Sequence, residues 1–382
     1  MPERPVRILH AHSTFDLGGK EARAVRLMNI WGPRAEHVVL SATGKFGARS
    51  AIDESVAVAF PEDAPSLIGK PGPRRYRALA RYMRGFDLVL SYNWGAMDVV
   101  AARRLYGGPP LIHHEDGFNE DEAEKRNWKR NSFRRLFLRS AHRLVVPSER
   151  LERIARTEWR QPEARVVRIA NGIPVARFER GPTRAMAGLD SADGLVVGTV
   201  AGLRAVKNLP RLVRAFAAAA PADARLVIVG EGPERGAIVA EAERLGIADR
   251  LVMPGFMADP AEWIGHFDIF ALSSDSEQFP ISLIEAMAAG LPCASTNVGD
   301  VAAMLAPENG FAIGDEAVLS QGLRLLLGDS ALRSTVGAAN RSKATACYDE
   351  RVMISRYAAL YGAAIGRPDA FDRAAAAENS EV

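Results

Sequence analysis

Short apolar runs rich in valine, isoleucine and leucine alternate with longer stretches of helical period over most of the chain, the pattern of repeated parallel β–α units. In the first half these runs predict strands at Val6–Ala11, His37–Ser41, Val56–Phe60, Asp87–Tyr92, Leu111–His114, Arg143–Pro147 and Val166–Ala170. In the second half they predict strands at Leu195–Val200, Arg225–Val229, Leu251–Met253, Ile269–Leu272, Cys293–Thr296 and Gly310–Ile313. Between the two sets, Asn171 to Gly194 is rich in Gly, Pro, Arg, Thr, Asp and Ser and has little periodicity, which marks a linker. Residues 349–365 read as a last amphipathic helix that offers Val352, Ile354, Tyr357, Leu360 and Tyr361 for packing. Past Arg367 the chain is rich in alanine and acid without apolar spacing, so a disordered tail is expected. The expected fold class is α/β, divided into residues 1–172, 173–348, a helix over 349–366 and a tail over 367–382.

A chain of 382 residues exceeds what one core usually serves, in keeping with two doubly wound domains. No run of 18 apolar residues occurs, and Met-Pro-Glu-Arg leads directly into a strand, so neither a secretory signal nor a membrane span is expected. With only Cys293 and Cys347 present, a disulfide framework or a cysteine metal cluster is also unexpected. The expected compartment is the cytosol. Net charge is +3 overall but unevenly placed, +11 over residues 1–178 and −8 over the remainder. Much of the excess lies between Lys125 and Arg143, where eight basic residues meet no acid. There Trp128, Phe133, Leu136 and Phe137 fit one helix face, with Lys129, Arg130, Arg134, Arg135 and Arg139 around the others. Such a helix suits an anionic membrane surface, and the same stripe equally suits a helix buried on a sheet. Nucleic acid is not expected, because no nucleic-acid module accompanies the charge.

The chemistry concentrates in residues 273–300, SSDSEQFPISLIEAMAAGLPCASTNVGD. Glu277 lies on the loop leaving a strand, and Glu285 lies inside a helix expected over Ser282–Ala289 and stopped by Gly290 and Pro292. Free backbone N–H groups in the stretch from Phe279 to Leu283, where Ile281 follows Pro280 with its missing N–H, suit phosphate or sugar oxygens at the helix start. A carboxylate deeper in the helix suits the two hydroxyls of a ribose. The segment resembles the E-x7-E region of the family-4 retaining glycosyltransferases, and the resemblance spans about residues 6–365.

That resemblance implies a GT-B architecture: two Rossmann-like domains facing across a cleft, with the last helix crossing back to the first. It implies transfer of a sugar from a nucleoside diphosphate to an acceptor hydroxyl, commonly a saccharide or lipid-linked acceptor in cell-surface polysaccharide or glycolipid synthesis. No cofactor and no metal are expected. By the same analogy Glu285 holds the ribose, Glu277 the hydroxyls of the donor sugar, and Arg204 with Lys207 the diphosphate. The family loop usually reads G-R-L-x-x-x-K; here Gly202 stands where its arginine would, and Arg204 is the substitute. Gly230 and Glu231 belong to the family's G-x-G-P turn, and Gly255 and Phe256 to a turn beside the base. Gly18 and Gly19 match a G-G-x-E loop, and His113 or His114 matches a histidine near the transferring sugar. Asp116 replaces a second histidine of some relatives, and Gln278 replaces the usual glycine after the first glutamate. These departures keep in view a nucleotide-sugar-binding subunit with impaired catalysis; a sugar-nucleotide epimerase of the same fold is the other alternative.

Overall fold

The computed structural model describes residues 4–117, 127–186, 188–189 and 194–371. It divides into two compact units, one of residues up to Ala170 joined by the chain from Met353 onward, the other Asn171–Val352. The first holds strands β1 (Val6–His12), β2 (Ala35–Ser41), β3 (Val58–Ala59), β4 (Leu88–Tyr92), β5 (Leu111–His114), β6 (Arg143–Val146) and β7 (Val166–Arg168). They form one parallel sheet in the order β3-β2-β1-β4-β5-β6-β7. The second unit holds β8 (Val196–Val200), β9 (Arg225–Val229), β10 (Leu251–Gly255), β11 (Ile269–Leu272), β12 (Cys293–Thr296) and β13 (Ile313–Gly314). These pair in parallel as β10-β9-β8-β11-β12-β13. Chain order reverses between β1 and β4 in one sheet and between β8 and β11 in the other. Open parallel sheets bind ligands at the carboxyl ends of the strands beside such reversals.

Apolar residues cover both faces of the first sheet. One layer includes Leu9, Leu79, Val89, Val100, Leu144 and Trp159; the opposite layer includes Ile8, Leu27, Trp31, Leu90, Tyr357 and Tyr361. The last two come from the helix Glu350–Ala364, which therefore packs as part of this unit. The expected tail begins later than Arg367. Phe371 is buried, its ring 4.6 Å from that of Trp31, because the aromatic layer leaves room for one more ring. The remaining tail residues, 372–382, lie outside the described residues, as do Lys125 and Arg126.

Two expected strands are shorter than their apolar runs. Val56 packs in a side cluster with Phe15 and Val39, leaving β3 a two-residue edge strand. Instead of a strand from Gly310, Pro307–Ala312 forms a 3-10 turn. Asn309 lies there with its Oδ1 accepting from the Cys293 amide at 2.9 Å and its Nδ2 donating to the Cys293 carbonyl at 2.5 Å. One side chain thus does for β12 what a neighbouring backbone would do.

A polar cluster lies within the first sheet's core. His10 Nε2 is 3.0 Å from His37 Nδ1, the His12 ring stacks on Tyr92 at 4.0 Å, and Tyr92 stacks on His114 at 4.6 Å. All four histidines are buried. Burial pushes His37 down to about 4 and the other three well below the usual imidazole range, with neighbouring rings and cations adding to it. Neutral rings are therefore part of the fold, and each disfavours the folded state by roughly 1.4 kcal/mol per pH unit once the unfolded chain begins to take up the proton. Stability from this source is complete above about pH 6.5 and falls as pH drops toward 4. Calorimetry from pH 7.5 to 4.5 is expected to show the first unit's melting transition moving to lower temperature; a transition that stays in place contradicts neutral burial.

Candidate functional site

The two loops that flank the reversal in the second sheet are stapled together. After β8 the chain runs to a 3-10 turn, Ala205–Lys207, and then to Asn208, which adopts a left-handed conformation (φ 43, ψ 51) before the helix Leu209–Ala219. Such a conformation is uncommon outside glycine and needs support. Asp275, just past β11, supplies it: both of its carboxylate oxygens lie 3.2 Å from Asn208 Nδ2, and its amide donates to the Val206 carbonyl at 2.8 Å. Arg211, one turn into the helix, closes on the same carboxylate at 2.7 Å. Ser273 Oγ donates to the Lys207 carbonyl at 3.0 Å.

Within this frame the Lys207 ammonium makes an ion pair with Glu277 Oε1, and Ser274 Oγ donates to the same oxygen at 2.7 Å. Gly299, at φ +57, presses on the Glu277 backbone so closely that a Cβ there would lie 2.4 Å from the Glu277 carbonyl oxygen. The pair borders a cavity of about 10 Å³, lined also by Thr199, Ala201 and Ser282. A wider pocket of about 600 Å³ opens past Ser274 toward Arg211, Asp275, Asn297 and Glu316. Neighbouring Gln278 keeps its Oε1 buried without a hydrogen-bond partner among the described residues.

The helix Ile281–Ala288 follows Pro280, which offers its first amides no side-chain cap, and ends before Gly290 in the left-handed region. Its early amides therefore stay available as donors. Phe279 turns into the protein, its ring edge-on to Tyr348 at 5.8 Å, so it packs rather than projects. Glu285 is half-buried, and its carboxylate has no hydrogen bond or ion pair among the described residues. Burial, helped by the charge of Asp259, raises it to about 7. A partly buried acid without a partner is costly to the fold and well placed to accept hydroxyl donors from a ligand.

The glycine turns expected nearby serve close packing of this loop. Gly230 (φ +142) leaves only 1.9 Å between an added Cβ and the Ala201 carbonyl oxygen, so any side chain there would dislodge the segment leading to Lys207. The Glu231 carbonyl accepts from the Leu203 amide at 2.9 Å, and the Gly230 amide donates to the Gly255 carbonyl at 2.9 Å. The Glu231 carboxylate lies against Gly255, while Phe256 stands 76% exposed. Arg204 is exposed and makes no ion pair among the described residues; its Nε lies 3.6 Å from where a Cβ on Gly202 would be. Its side chain thus lies back over Gly202, the position it was expected to replace.

The first unit holds the remaining candidates. Gly18 precedes and Gly19 opens the helix Gly19–Trp31, with no atom within 4 Å of a Cβ added at Gly19. Lys20 pairs with Glu21, whose carboxyl is buried and raised above the usual range by desolvation. Both His113 and His114 are wholly buried, which conflicts with either ring meeting a bound sugar. His114 lies 3.2 Å from the Ser91 carbonyl and 2.7 Å from Tyr361 Oη, so both of its nitrogens are engaged in the core. His113 Nδ1 is 2.8 Å from Ser91 Oγ, and its Nε2 is 3.5 Å from Glu115. Asp116 forms a two-pronged pair with Arg23 at 2.5 and 2.9 Å. Arg134 is also buried, pairing with Glu115 at 3.2 Å and lying over the rings of Trp94 and Trp159. The exposed face of its helix, Trp128–Phe137, instead carries Trp128, Lys129, Arg135 and Leu136, with Arg139 just beyond. Phe133 and Phe137 pack inward.

Ser273, Ser274, Asp275, Asn208 and Gly299 are the structural partners that sequence reasoning missed. Only Ser274 had a signal, its place three residues before Glu277.

Known proteins resemble the chain in both units. The Glycosyltransferase Family 4 model matches residues 17–177, and the Glycosyl transferases group 1 model matches residues 187–343. N-acetyl-alpha-D-glucosaminyl L-malate synthase of Bacillus anthracis is 31% identical over 166 residues, 42% of this chain and 44% of its own, so the aligned part is less than half of that relative. The putative glycosyltransferase EpsF of Bacillus subtilis is 27% identical over 314 residues, 75% of this chain and 78% of its own. Among solved structures, HepE of Anabaena in complex with UDP has a TM-score of 0.80 at 17% identity, covering 94% of this chain and all of that one. WaaG, a glycosyltransferase involved in lipopolysaccharide biosynthesis, has a TM-score of 0.62 at 16% identity, with 96% and 100% covered. At such identities the structures speak for the fold, which is GT-B. With one family model on each of its two parallel-sheet units, the chain belongs to the family-4-type group 1 glycosyltransferases.

Proposed function

We propose that this glycosyltransferase moves a sugar from a nucleoside-diphosphate donor to an acceptor hydroxyl with retention of configuration, in the synthesis of a cell-surface polysaccharide or glycolipid. The observation that carries this reading is the meeting of Lys207 and Glu277 at the reversal of the second sheet, with the unpartnered Glu285 eight residues further on. Lys207, with Arg204 and the amides at Ile281 and beyond, opposes the negative charge that grows on the leaving diphosphate. Glu277 accepts hydroxyls of the donor sugar, and Glu285 accepts those of the ribose. These cations supply the electrostatic stabilisation that a metal ion gives in other sites, so EDTA is expected to leave transfer unchanged. HepE was crystallised with UDP and with UDP-glucose, which supports a nucleotide-sugar donor. One relative is named for transfer to a diphospho-undecaprenol-linked acceptor, and this supports a lipid-linked acceptor.

The donor is identified by measuring hydrolysis and thermal shift across UDP-, GDP- and ADP-sugars. Binding without transfer or hydrolysis in every case would favour a binding subunit over an enzyme. With the preferred donor, Lys207→Ala is expected to lower kcat by about 100-fold or more, as loss of roughly 3 kcal/mol of transition-state stabilisation implies. Activity within about threefold of wild type would remove Lys207 from this role.

Glu285 gives a pH dependence of definite sign. Its raised pKa means that the fold favours the protonated acid, a contribution complete below about pH 4.5 and lost as pH rises through about 7. Ligand hydroxyls favour the ionised form. Nucleoside diphosphate should therefore bind more tightly as pH rises from 6 to 8 in calorimetric titrations. Glu285→Gln is expected to weaken and flatten that profile while raising the ligand-free melting temperature at pH 8; an unchanged profile would separate Glu285 from the ribose.

The exposed face of the helix Trp128–Phe137 joins a Trp side chain 71% exposed and a Leu 54% exposed to the cations Lys129, Arg135 and Arg139. We take this face to rest on anionic lipid, each cation adding about 1 kcal/mol that fades with salt. Wild type should co-sediment with vesicles containing phosphatidylglycerol at low salt, and less at high salt or after Lys129, Arg135 and Arg139 become Gln. Indifference of the wild type to such vesicles at low salt rules the contact out.

A further inference from the structure

Ser273 and Ser274 leave β11 side by side, both buried, and their hydroxyls serve the two charged partners separately. Ser273 Oγ donates to the carbonyl of Lys207, fixing the backbone that carries the cation. Ser274 Oγ donates at 2.7 Å to Glu277 Oε1, the oxygen that also receives the Lys207 ammonium. The Ser274 carbonyl in turn accepts from Thr296 Oγ1 at 2.7 Å, so its backbone is held from the neighbouring strand. Glu277 thus has one charged partner on a flexible stem and one neutral partner that cannot move.

The two partners respond differently to an incoming diphosphate. A lysine ammonium is a mobile point charge and turns toward the greater negative charge. A buried hydroxyl with its backbone anchored stays where it is. We infer that the Lys207–Glu277 pair is a resting contact exchanged when the donor binds, and that Ser274 is the positioning residue that holds Glu277 in place once Lys207 has turned to the phosphates. This rests on the reading of Lys207 as a diphosphate contact and Glu277 as a sugar contact. Its consequence is that Glu277 competes with the nucleotide for Lys207, so the carboxylate that aids binding of the intact donor opposes binding of the free nucleoside diphosphate.

Titrations with whichever of UDP, GDP or ADP raises the melting temperature most, and kinetics with the corresponding donor, test both parts. Glu277→Gln is expected to tighten the nucleoside diphosphate about threefold or more while lowering kcat/KM for transfer. Ser274→Ala is expected to lower kcat/KM about tenfold with nucleotide affinity held within about twofold, the loss expected when one hydrogen bond to a charged group is removed. In the Glu277→Gln background Ser274→Ala should cost nothing further, and Ser274→Thr, which keeps the hydroxyl, should recover most of the activity. Additive losses, or a lowered melting temperature with unaltered kcat/KM, would reduce Ser274 to packing. Weaker nucleotide binding by Glu277→Gln would overturn the exchange. Near-normal transfer by Lys207→Ala would instead sink the parent reading, a result that the Ser274 and Glu277 variants cannot imitate.

Discussion

The ion pair between Lys207 and Glu277 joins two loops 70 residues apart in sequence that leave adjacent parallel strands. Both groups are largely withdrawn from water, with side-chain exposures of 17% and 11%, so each depends on the other for charge balance. Much of the surrounding construction keeps these two ends in register. Asp275 supports the left-handed Asn208, and Gly299 admits the Glu277 backbone. Gly230 and Gly232 let a third loop lie against residues 201–203 without a side chain between them. The sheet sets the distance between the strands, and the loops convert it into a fixed separation between a cation and a carboxylate.

Fold and site were legible to different degrees. Parallel strands buried on both faces are continuous apolar runs, which is why β1, β8, β9, β11 and β12 could be placed from sequence within a residue or two. β13 escaped because a side chain, Asn309, stands in for strand backbone, and no periodicity encodes that substitution. Glu277, Glu285 and Lys207 were visible through their fixed spacing within local motifs. The contacts that hold them, Asn208 with Asp275 and Ser273 with Lys207, cross more than 60 residues and leave no local trace.

Burial of polar side chains was equally hard to read, as His113, His114 and Arg134 illustrate. Polar residue types invite a functional or solvent-facing reading, yet β5 is covered on both faces: His114 is engaged at both nitrogens by Ser91 and Tyr361, and His113 at Nδ1 by Ser91, with its Nε2 3.5 Å from Glu115. Arg134 lies on the face of its helix that turns inward, where Glu115 and the faces of two tryptophans replace water around the guanidinium. A helical stripe specifies which residues share a face; the partner waiting on the sheet determines what that face must satisfy.

The first unit is built from both ends of the chain, since its aromatic layer is finished by Tyr357, Tyr361 and Phe371. During synthesis the amino-terminal sheet therefore emerges with Trp31, Tyr92 and His114 lacking their covering side chains. The second unit, continuous from Asn171 to Val352, is complete in sequence before the first receives its closing helix. Order of appearance and order of completion are reversed, and the first half must wait, partly uncovered, until the residues from Met353 onward have been made.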